Sequence, residues 1–385
     1  TVGDIESLPF LEAIRQFRYE RPKDCINLHL TYVPFLKAAG EVKTKPTQHS
    51  VQDLREIGII PDMILCRCEE PLSEEIKAKI SLFCNVPQDA VIDEKDVKNS
   101  IYEVPLDLHR QGLDAKICTA LELPSILPDL SRWENMLRIV LHPKGKVVVG
   151  IVGKYMDHQD AYKSVFEALH HGAIAAGCGL EIRKFESDRI VDIGGCDGYL
   201  VPGGFGERGW EGKILTARYC REKKIPYFGL CLGMQVMIVE FARHVLGLKQ
   251  AHSTEVDKNT PDPVISMLSE QKQIQNLGGT MRLGAYPCEL KKGTLAYACY
   301  GKTPISERHR HRYEFNNHYK TLFEEKGMVF SGKLEGGDLC EIAEISSHPW
   351  MLGVQFHPEF KSKPLEPHPL FREFIRSLRE GSWDE

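Results

Sequence analysis

The sequence lacks the features that mark membrane proteins, disulfide-rich secreted proteins and general nucleic-acid binders. No apolar run in its 385 residues approaches the roughly 20 residues that a membrane-spanning helix needs. The 12 cysteines show no paired framework, and the nearest two, Cys66 and Cys68, do not have zinc-knuckle or redox-motif spacing. A formal net charge of −5 disfavours broad phosphate neutralisation. The composition therefore predicts a cytoplasmic protein with reduced thiols, and neither a membrane nor a nucleic acid as partner.

The strongest positive signal is the turn Gly-Leu-Cys-Leu-Gly at residues 229–233. A short apolar run precedes it and an apolar-periodic run follows, a pattern that predicts a strand, a sharp turn and a helix. Cys231 would then stand at a helix N-terminus, where free N–H groups and the helix dipole favour a thiolate. Cys231 is the candidate nucleophile. The same pattern is also typical of a helix packed closely on a strand through glycines.

A base for this nucleophile is predicted in the run Gln-Phe-His-Pro-Glu at residues 355–359. In an extended segment residues i and i+2 point to the same side, so the Glu359 carboxylate can hold the His357 imidazole. The joint occurrence of the two motifs predicts a Cys-His-Glu triad.

A Gly-x-Cys-x-Gly turn followed by His-Pro-Glu resembles the class I, triad-type glutamine amidotransferases. The run Pro-Gly-Gly-Phe-Gly at residues 202–206 resembles the oxyanion loop of that family. The resemblance implies that the backbone N–H groups of Gly204 and Leu232 bind the oxyanion of the tetrahedral intermediate. It further implies that Gln235 and Glu255 bind the α-ammonium group of glutamine and that Arg312 binds its α-carboxylate. The complete set of implied glutamine-binding residues is Gly204, Phe205, Leu232, Gln235, Glu255 and Arg312.

The chain as a whole predicts two α/β domains. Residues 1–128 alternate short apolar runs with amphipathic ones, which is typical of a mainly parallel sheet. A linker is predicted over residues 129–145, with Pro124 and Pro128 just before it and Pro143 and Gly145 within it. Residues 146–385 predict a doubly wound domain whose sites lie at the carboxyl ends of strands. Strands are predicted at 26–33, 63–66, 90–92 and 180–185, and helices at 8–18, 50–57, 74–83, 104–111, 133–141, 160–176 and 369–378.

The run Lys-Thr-Lys-Pro-Thr-Gln at residues 43–48 precedes a predicted helix. Its ammonium groups suit phosphate, and its hydroxyl and amide groups suit a base edge, although a solvated loop is the ordinary alternative. With the opening Thr-Val-Gly-Asp-Ile-Glu-Ser, this run resembles the synthetase domain of CTP synthases. The resemblance implies ATP contacts at Lys95, Asp96 and Val97. The UTP- or CTP-binding residues that it implies are Asp4, Ile5, Glu6, Lys43, Thr44, Lys45, Pro46, Thr47, Gln48 and Lys79.

The sequence departs from that family in its phosphate loop. The family's synthetase domain begins with a glycine-rich P-loop, and no G-x-x-x-x-G-K-[ST] match occurs in the 385 residues. We expect the P-loop and the Mg²⁺ carboxylates upstream of Thr1, so no metal ligand is predicted in this chain. The chain is then expected to retain only the glutaminase half-reaction. Segments 188–195 and 266–276 are also expected to be short relative to the family.

The function implied by the resemblance is the ATP-dependent amination of UTP to CTP with ammonia from glutamine. The family also implies Mg²⁺, GTP as an allosteric activator, CTP as a feedback inhibitor, and a homotetramer built as a dimer of dimers. Two alternatives stay open: a triad amidotransferase serving a different acceptor, and a non-catalytic scaffold paralogue. Residues 43–48 disfavour the first, and an intact triad disfavours the second.

The densest cationic stretch, residues 307–314, alternates arginine with histidine. In a strand this places His309 and His311 on one face and Arg308, Arg310 and Arg312 on the other. A solvated strand and a histidine-rich metal site are the alternatives. Because guanidinium groups flank the histidines, we predict anion recognition instead of a metal site.

Overall fold

The computed structural model describes residues 2–124, 126–158, 160–189, 193–267 and 281–380. The chain forms two compact units, Thr1–Leu137 and Arg138–Glu385. The segments expected to be short, 188–195 and 266–276, lie partly outside the described residues. Among the helices in the described ranges, none is long and apolar enough to span a bilayer. The domain bounds given above, which place a linker at 129–145, stay a prediction.

The first unit is an α/β unit built on a small parallel sheet. Its strands are β1 (Leu28–Tyr32), β2 (Phe35–Leu36), β3 (Glu41–Val42), β4 (Met63–Cys68) and β5 (Val91–Lys95). Its helices are α1 (Leu8–Glu20), α2 (Lys45–Glu56), α3 (Glu74–Cys84), α4 (Val104–Arg110) and α5 (Leu113–Ala120), and α6 (Ser131–Leu141) crosses the division between the units. Strands β1, β4 and β5 pair in parallel in that order. Buried side chains from α2, α3, β4 and β5 form one apolar core.

One helix of this unit begins earlier than predicted. Helix α2 starts at Lys45, whereas the apolar periodicity predicted a start at residue 50. Pro46 lies in its first turn, where the fixed φ of proline suits a helix and the missing N–H costs nothing. Residues 45–48 are therefore the first helical turn and not a loop. Because this turn is polar, apolar periodicity alone could not detect it.

The second unit has a long mixed sheet with helices on both faces. Its strands are β6 (Lys146–Gly153), β7 (Gly179–Glu186), β8 (Gly198–Val201), β9 (Tyr227–Leu230), β10 (His252–Ser253), β11 (Pro263–Met267), β12 (Arg282–Leu290), β13 (Ile305–His311), β14 (Tyr313–Phe315), β15 (Met328–Leu334), β16 (Cys340–Ile345) and β17 (Met351–Val354). Its helices are α7 (Lys163–Ala176), α8 (Trp210–Lys223), α9 (Leu232–His244), α10 (Leu295–Tyr300), α11 (Lys320–Glu325) and α12 (Pro369–Glu380).

The order of the large sheet places three strand ends side by side. Over the described ranges its nine strands run β13-β12-β15-β16-β17-β9-β8-β6-β7, and the five from β17 to β7 are parallel. Helices α7 and α12 contribute to the core on one face, and α8 and α9 to the core on the other. The predicted doubly wound α/β class is confirmed. Strands β17, β9 and β8 are neighbours, so the chain leaves all three at the same edge of the sheet.

Candidate active site

Cys231 occupies a sharp turn between β9 and α9. Its φ of +50° and ψ of −101° place it in a region that L-residues rarely adopt, and its side chain is only 2% exposed. The turn requires both flanking glycines. A Cβ on Gly229 would lie 2.6 Å from the backbone carbon of Gly233, and a Cβ on Gly233 would lie 2.1 Å from the Val201 carbonyl oxygen. The predicted strand, turn and helix are present, with the sulfur at the start of α9.

His357 and Glu359 follow the neighbouring strand β17. His357 Nδ1 lies 2.8 Å from Glu359 Oε1, and the backbone N–H of His357 donates to the Arg308 carbonyl over 2.8 Å. The backbone here is not extended as the sequence predicted, because Pro358–Lys361 forms a short 3₁₀ helix. The Glu359 carboxylate nevertheless reaches the imidazole of His357, which precedes this helix as its N-cap residue.

The electrostatics at His357 favour the imidazolium form. Burial lowers the pKa of His357, but the adjacent Cys231 sulfur and the Glu359 carboxylate outweigh it and raise that pKa to about 10. A protonated imidazole beside the sulfur can donate its proton to a leaving group. The arrangement can therefore supply a nucleophile and a proton donor at neutral pH.

The loop at residues 202–206 lies against the Cys-His pair. An added Cβ on Gly203 would stand 2.7 Å from His357 Cε1 and 3.5 Å from Cys231 Cβ, so only glycine fits there without displacement. An added Cβ on Gly204 would meet Leu232 Cδ2 at 3.4 Å, which places these two residues side by side. Their oxyanion role stays a prediction.

Two side chains that the triad does not include hold this loop. Lys154 Nζ donates to the Phe205 carbonyl oxygen over 2.8 Å, and the Gly206 N–H donates to Glu255 Oε1 over 2.8 Å. Burial lowers the pKa of Lys154, and the nearby Arg208 lowers it further. The contact made by Lys154 was not foreseen, because it joins loops about 50 residues apart in the sequence.

Some of the residues predicted to bind glutamine lie near Cys231 or near the loop at residues 202–206. The Gln235 amide is buried and donates to the Tyr313 carbonyl oxygen over 3.0 Å. Arg312 adjoins Tyr313 in the half-buried segment between β13 and β14. The Phe205 ring is 43% exposed, with the Arg310 guanidinium carbon 5.9 Å from its centroid. Their individual roles stay predictions.

Strand β13 alternates as predicted, with one exception. His309 and His311 are buried, whereas Arg308 and Arg310 are exposed. Arg312 lies beyond the end of the strand, so it does not belong to the exposed face. The two imidazoles are 2.9 Å apart, from His309 Nδ1 to His311 Nε2.

The buried face of β13 adjoins a charged cluster. Ligand atoms of His309, His311 and Glu341 all lie within 4.8 Å of one another. The Arg282 guanidinium contacts Glu341 over 2.9 Å and Glu314 over 3.2 Å, so it already supplies the positive charge that a metal would bring. Burial lowers the pKa of His309 to about 3, and burial raises the pKa of Glu341 to about 7 in spite of Arg282.

The residues predicted to bind UTP are only partly available for a ligand. Thr47 is fully buried, with its hydroxyl 3.2 Å from that of Thr31, and Thr44 is buried and accepts from the Gln48 amide over 3.0 Å. Lys45 and Pro46 are exposed on the first turn of α2. Thr44 and Thr47 therefore pack this segment, whereas the exposed pair can face a ligand.

Lys43 pairs with a neighbouring carboxylate, and Lys79 acts on the same carboxylate electrostatically. Lys43 Nζ pairs with Glu41, and this contact lowers the pKa of Glu41, with a smaller contribution from Lys79 on α3. The Lys43 ammonium group is a cation of the kind that suits a phosphate group. At the opening of the chain, the Asp4 carboxylate accepts from the backbone N–H of Glu6 over 3.1 Å, and Ile5 is 82% exposed.

The three residues predicted to contact ATP are not equivalent. Lys95 lines a cavity of about 270 Å³ beside β5 and α4. Asp96 pairs instead with Arg67 over 3.0 Å, and Val97 follows it outside the residues lining that cavity. The structure therefore favours Lys95 among the three as a residue lining a cavity.

Comparison with known proteins gives a family match for each of the two units. Residues 1–123 match the family model of the CTP synthase N-terminus, and residues 157–377 match that of class I glutamine amidotransferases. The chain is 67% identical to a CTP synthase of Protochlamydia amoebophila and 59% identical to one of Chlamydia abortus, over 98% of this chain and 71% of each relative. It also resembles the solved structure of a Trypanosoma brucei CTPS glutaminase domain with bound acivicin, with 35% identity and a TM-score of 0.57, over 61% of this chain and 94% of that chain.

The fold and the triad geometry, together with these matches, define the second unit as a class I glutamine amidotransferase. The chain belongs to the CTP synthase family. It is thus a glutamine-hydrolysing ligase, and the family implies that ATP and UTP are used. This membership removes the alternative of an amidotransferase from another family.

Proposed function

We propose that the second unit hydrolyses glutamine at Cys231, His357 and Glu359, and that the ammonia aminates UTP to CTP at the expense of ATP. The observation that carries the proposal is the strained Cys231 beside an imidazole whose other nitrogen lies 2.8 Å from a buried carboxylate. Such a nucleophile, base and orienting group form the arrangement required for covalent acyl transfer.

The first half of the reaction forms a thioester. The Cys231 thiolate attacks the side-chain amide carbon of glutamine, and the carbonyl oxygen becomes an oxyanion that the N–H groups of Gly204 and Leu232 stabilise. His357 donates its proton to the departing nitrogen, so ammonia leaves as the carbon–nitrogen bond breaks. Glu359 stabilises the imidazolium until this proton is transferred and orients the ring afterwards.

The second half regenerates the enzyme. The neutral His357 takes a proton from water, and the resulting hydroxide attacks the γ-glutamyl thioester. Collapse of the second tetrahedral intermediate releases glutamate and restores the Cys231 thiolate. The imidazole is again protonated, so the catalytic pair returns to its starting charge.

For the synthetase half, we propose that Lys43, Lys45 and Lys79 bind UTP phosphates and that Lys95 faces ATP. The remaining predicted contacts, at Asp4, Ile5, Glu6, Pro46 and Gln48, are proposed from the family resemblance alone. Thr44 and Thr47 are buried and Asp96 pairs with Arg67, so a direct contact with a nucleotide is not proposed for them or for Val97. GTP activation, a homotetramer and a cytoplasmic location are proposed on the same basis.

Mg²⁺ is not assigned to residues of this chain. In the described ranges the grouped ligand set is two histidines with one glutamate, and Mg²⁺ prefers oxygen ligands. We therefore derive no step of the proposed reaction through Mg²⁺.

The test is release of glutamate from glutamine by this chain, with and without GTP. Cys231→Ala should abolish release, whereas Cys220→Ala, a matched change at a buried cysteine on α8, should leave it unchanged. Stimulation by GTP would support the CTP synthase assignment. A folded but inactive wild-type chain would overturn the proposal that this unit suffices for hydrolysis and would favour the scaffold alternative.

A further inference from the structure

A buried glutamine links the nucleophile to the rest of the site. Gln355 is fully buried in the segment after β17, and its backbone N–H donates to the Glu341 carbonyl over 2.8 Å. Its side-chain Nε2 lies 3.7 Å from Cys231 Sγ, and its Oε1 lies 3.2 Å from Gln235 Nε2. The Gln355 amide therefore bridges the sulfur and the Gln235 amide.

The orientation of this amide follows from a backbone anchor. The Tyr313 carbonyl can only accept, so the group of Gln235 that faces it over 3.0 Å must be the amino group. The other N–H of that amino group points to Gln355, whose facing atom must then be the carbonyl oxygen. The amino group of Gln355 therefore faces the sulfur. The hydrogen bonds thus distinguish the oxygen end of this amide from its nitrogen end, which shape alone does not.

A donor at this position selects one protonation state of the sulfur. A thiolate can accept the Gln355 N–H, whereas a thiol can donate to the Arg310 carbonyl oxygen, which lies 3.9 Å from Sγ on another side. Hydrogen bonding to the charged form favours that form. Gln355 and Arg310 thus act in opposite directions on the proton of Cys231.

We propose that Gln355 is a positioning residue that stabilises the Cys231 thiolate, oriented for this task by Gln235 and the Tyr313 carbonyl. The catalytic meaning of this inference rests on the proposed function, but the effect of Gln355 on the sulfur does not depend on turnover. It gives Gln235 a second task beside the predicted contact with glutamine.

The test measures the ionisation of Cys231 directly. The rate at which iodoacetamide alkylates Cys231 is followed against pH by mass spectrometry of the tryptic peptide 225–243, in which Cys231 is the sole cysteine. Gln355→Glu replaces the donor with an acceptor and should lower the rate at pH 7 by roughly tenfold or more, as expected for loss of a hydrogen bond to a charged group. The pH midpoint of the rate should move upward.

Two further variants make the result specific. Gln355→Met removes the donor without adding charge and should move the midpoint in the same direction by a smaller amount. Gln250→Glu makes the matched chemical change at an exposed glutamine and should leave the midpoint unchanged. Thermal unfolding verifies that each variant is folded.

The outcomes separate this inference from the proposed function. An unchanged midpoint in folded Gln355→Met and Gln355→Glu would overturn the inference, even if both variants were less stable. A shifted midpoint in a chain whose wild type releases no glutamate would uphold the role of Gln355 and defeat the proposed function.

Discussion

Gly203→Ala should disable glutamine hydrolysis without unfolding the protein. The added Cβ would stand 2.7 Å from His357 Cε1, whereas an ordinary contact begins at 3.4 Å, so the ring or the loop must shift by about 0.7 Å. Misplacement of a catalytic group by about 1 Å can cost ~10²-fold in rate. We therefore expect kcat to fall by ~10- to 10²-fold, because the imidazole no longer aligns with the leaving nitrogen.

The assay is steady-state glutamate release, with Gly337→Ala as the matched control. Gly337 lies in the connection between β15 and β16 and has an ordinary φ. Its added Cβ would meet the Leu334 side chain, at 3.3 Å from Cδ2 and at ordinary contact distances from Cγ and Cβ. This control should retain wild-type kcat. If folded Gly203→Ala also retained wild-type kcat, the proposed arrangement of the loop and His357 would be refuted.

Three further predictions concern the triad, the core and the acid response. Glu359→Gln should lower kcat for glutamate release by ~10²-fold or more, because an amide cannot stabilise the imidazolium as the carboxylate 2.8 Å from His357 does; an unchanged kcat would exclude that role. Phe323→Ala should lower the free energy of unfolding by ~3–5 kcal/mol in urea denaturation, since the ring is fully buried against Phe241; a loss below ~1 kcal/mol would contradict this. Burial lowers the pKa of His309 from 6.5 to about 3, so its neutral form stabilises the fold above pH 6.5 and this contribution is lost as pH falls towards 3. His309→Gln should flatten that part of the curve of thermal unfolding midpoint against pH, and an unaltered slope would contradict the assignment.

The polar first turn of α2 shows where prediction from the sequence was incomplete. The helix was predicted from the apolar positions of its later turns, and the ligand loop was predicted from the chemistry of residues 43–48. In the structure the last four residues of that run are helical, and Thr44 and Thr47 are buried. A hydroxyl can serve a ligand or a core contact, and the local sequence does not distinguish the two.

The sequence by itself determined the turn at Cys231, the motif of His357 and Glu359, and the alternation along β13. The turn and the alternation depend on local geometry: which residues tolerate a strained turn and how a strand alternates. The contact between His357 and Glu359 was predicted for an extended backbone, whereas the structure makes it at the start of a 3₁₀ helix. The tertiary structure decided which of these local features meet. Gln355 faces Cys231 across 124 residues because β17 pairs with β9, and Gly203 approaches Cys231 and His357 because β8 is the next strand. Strand order is set by the packing of the whole unit, so no local pattern could specify these contacts.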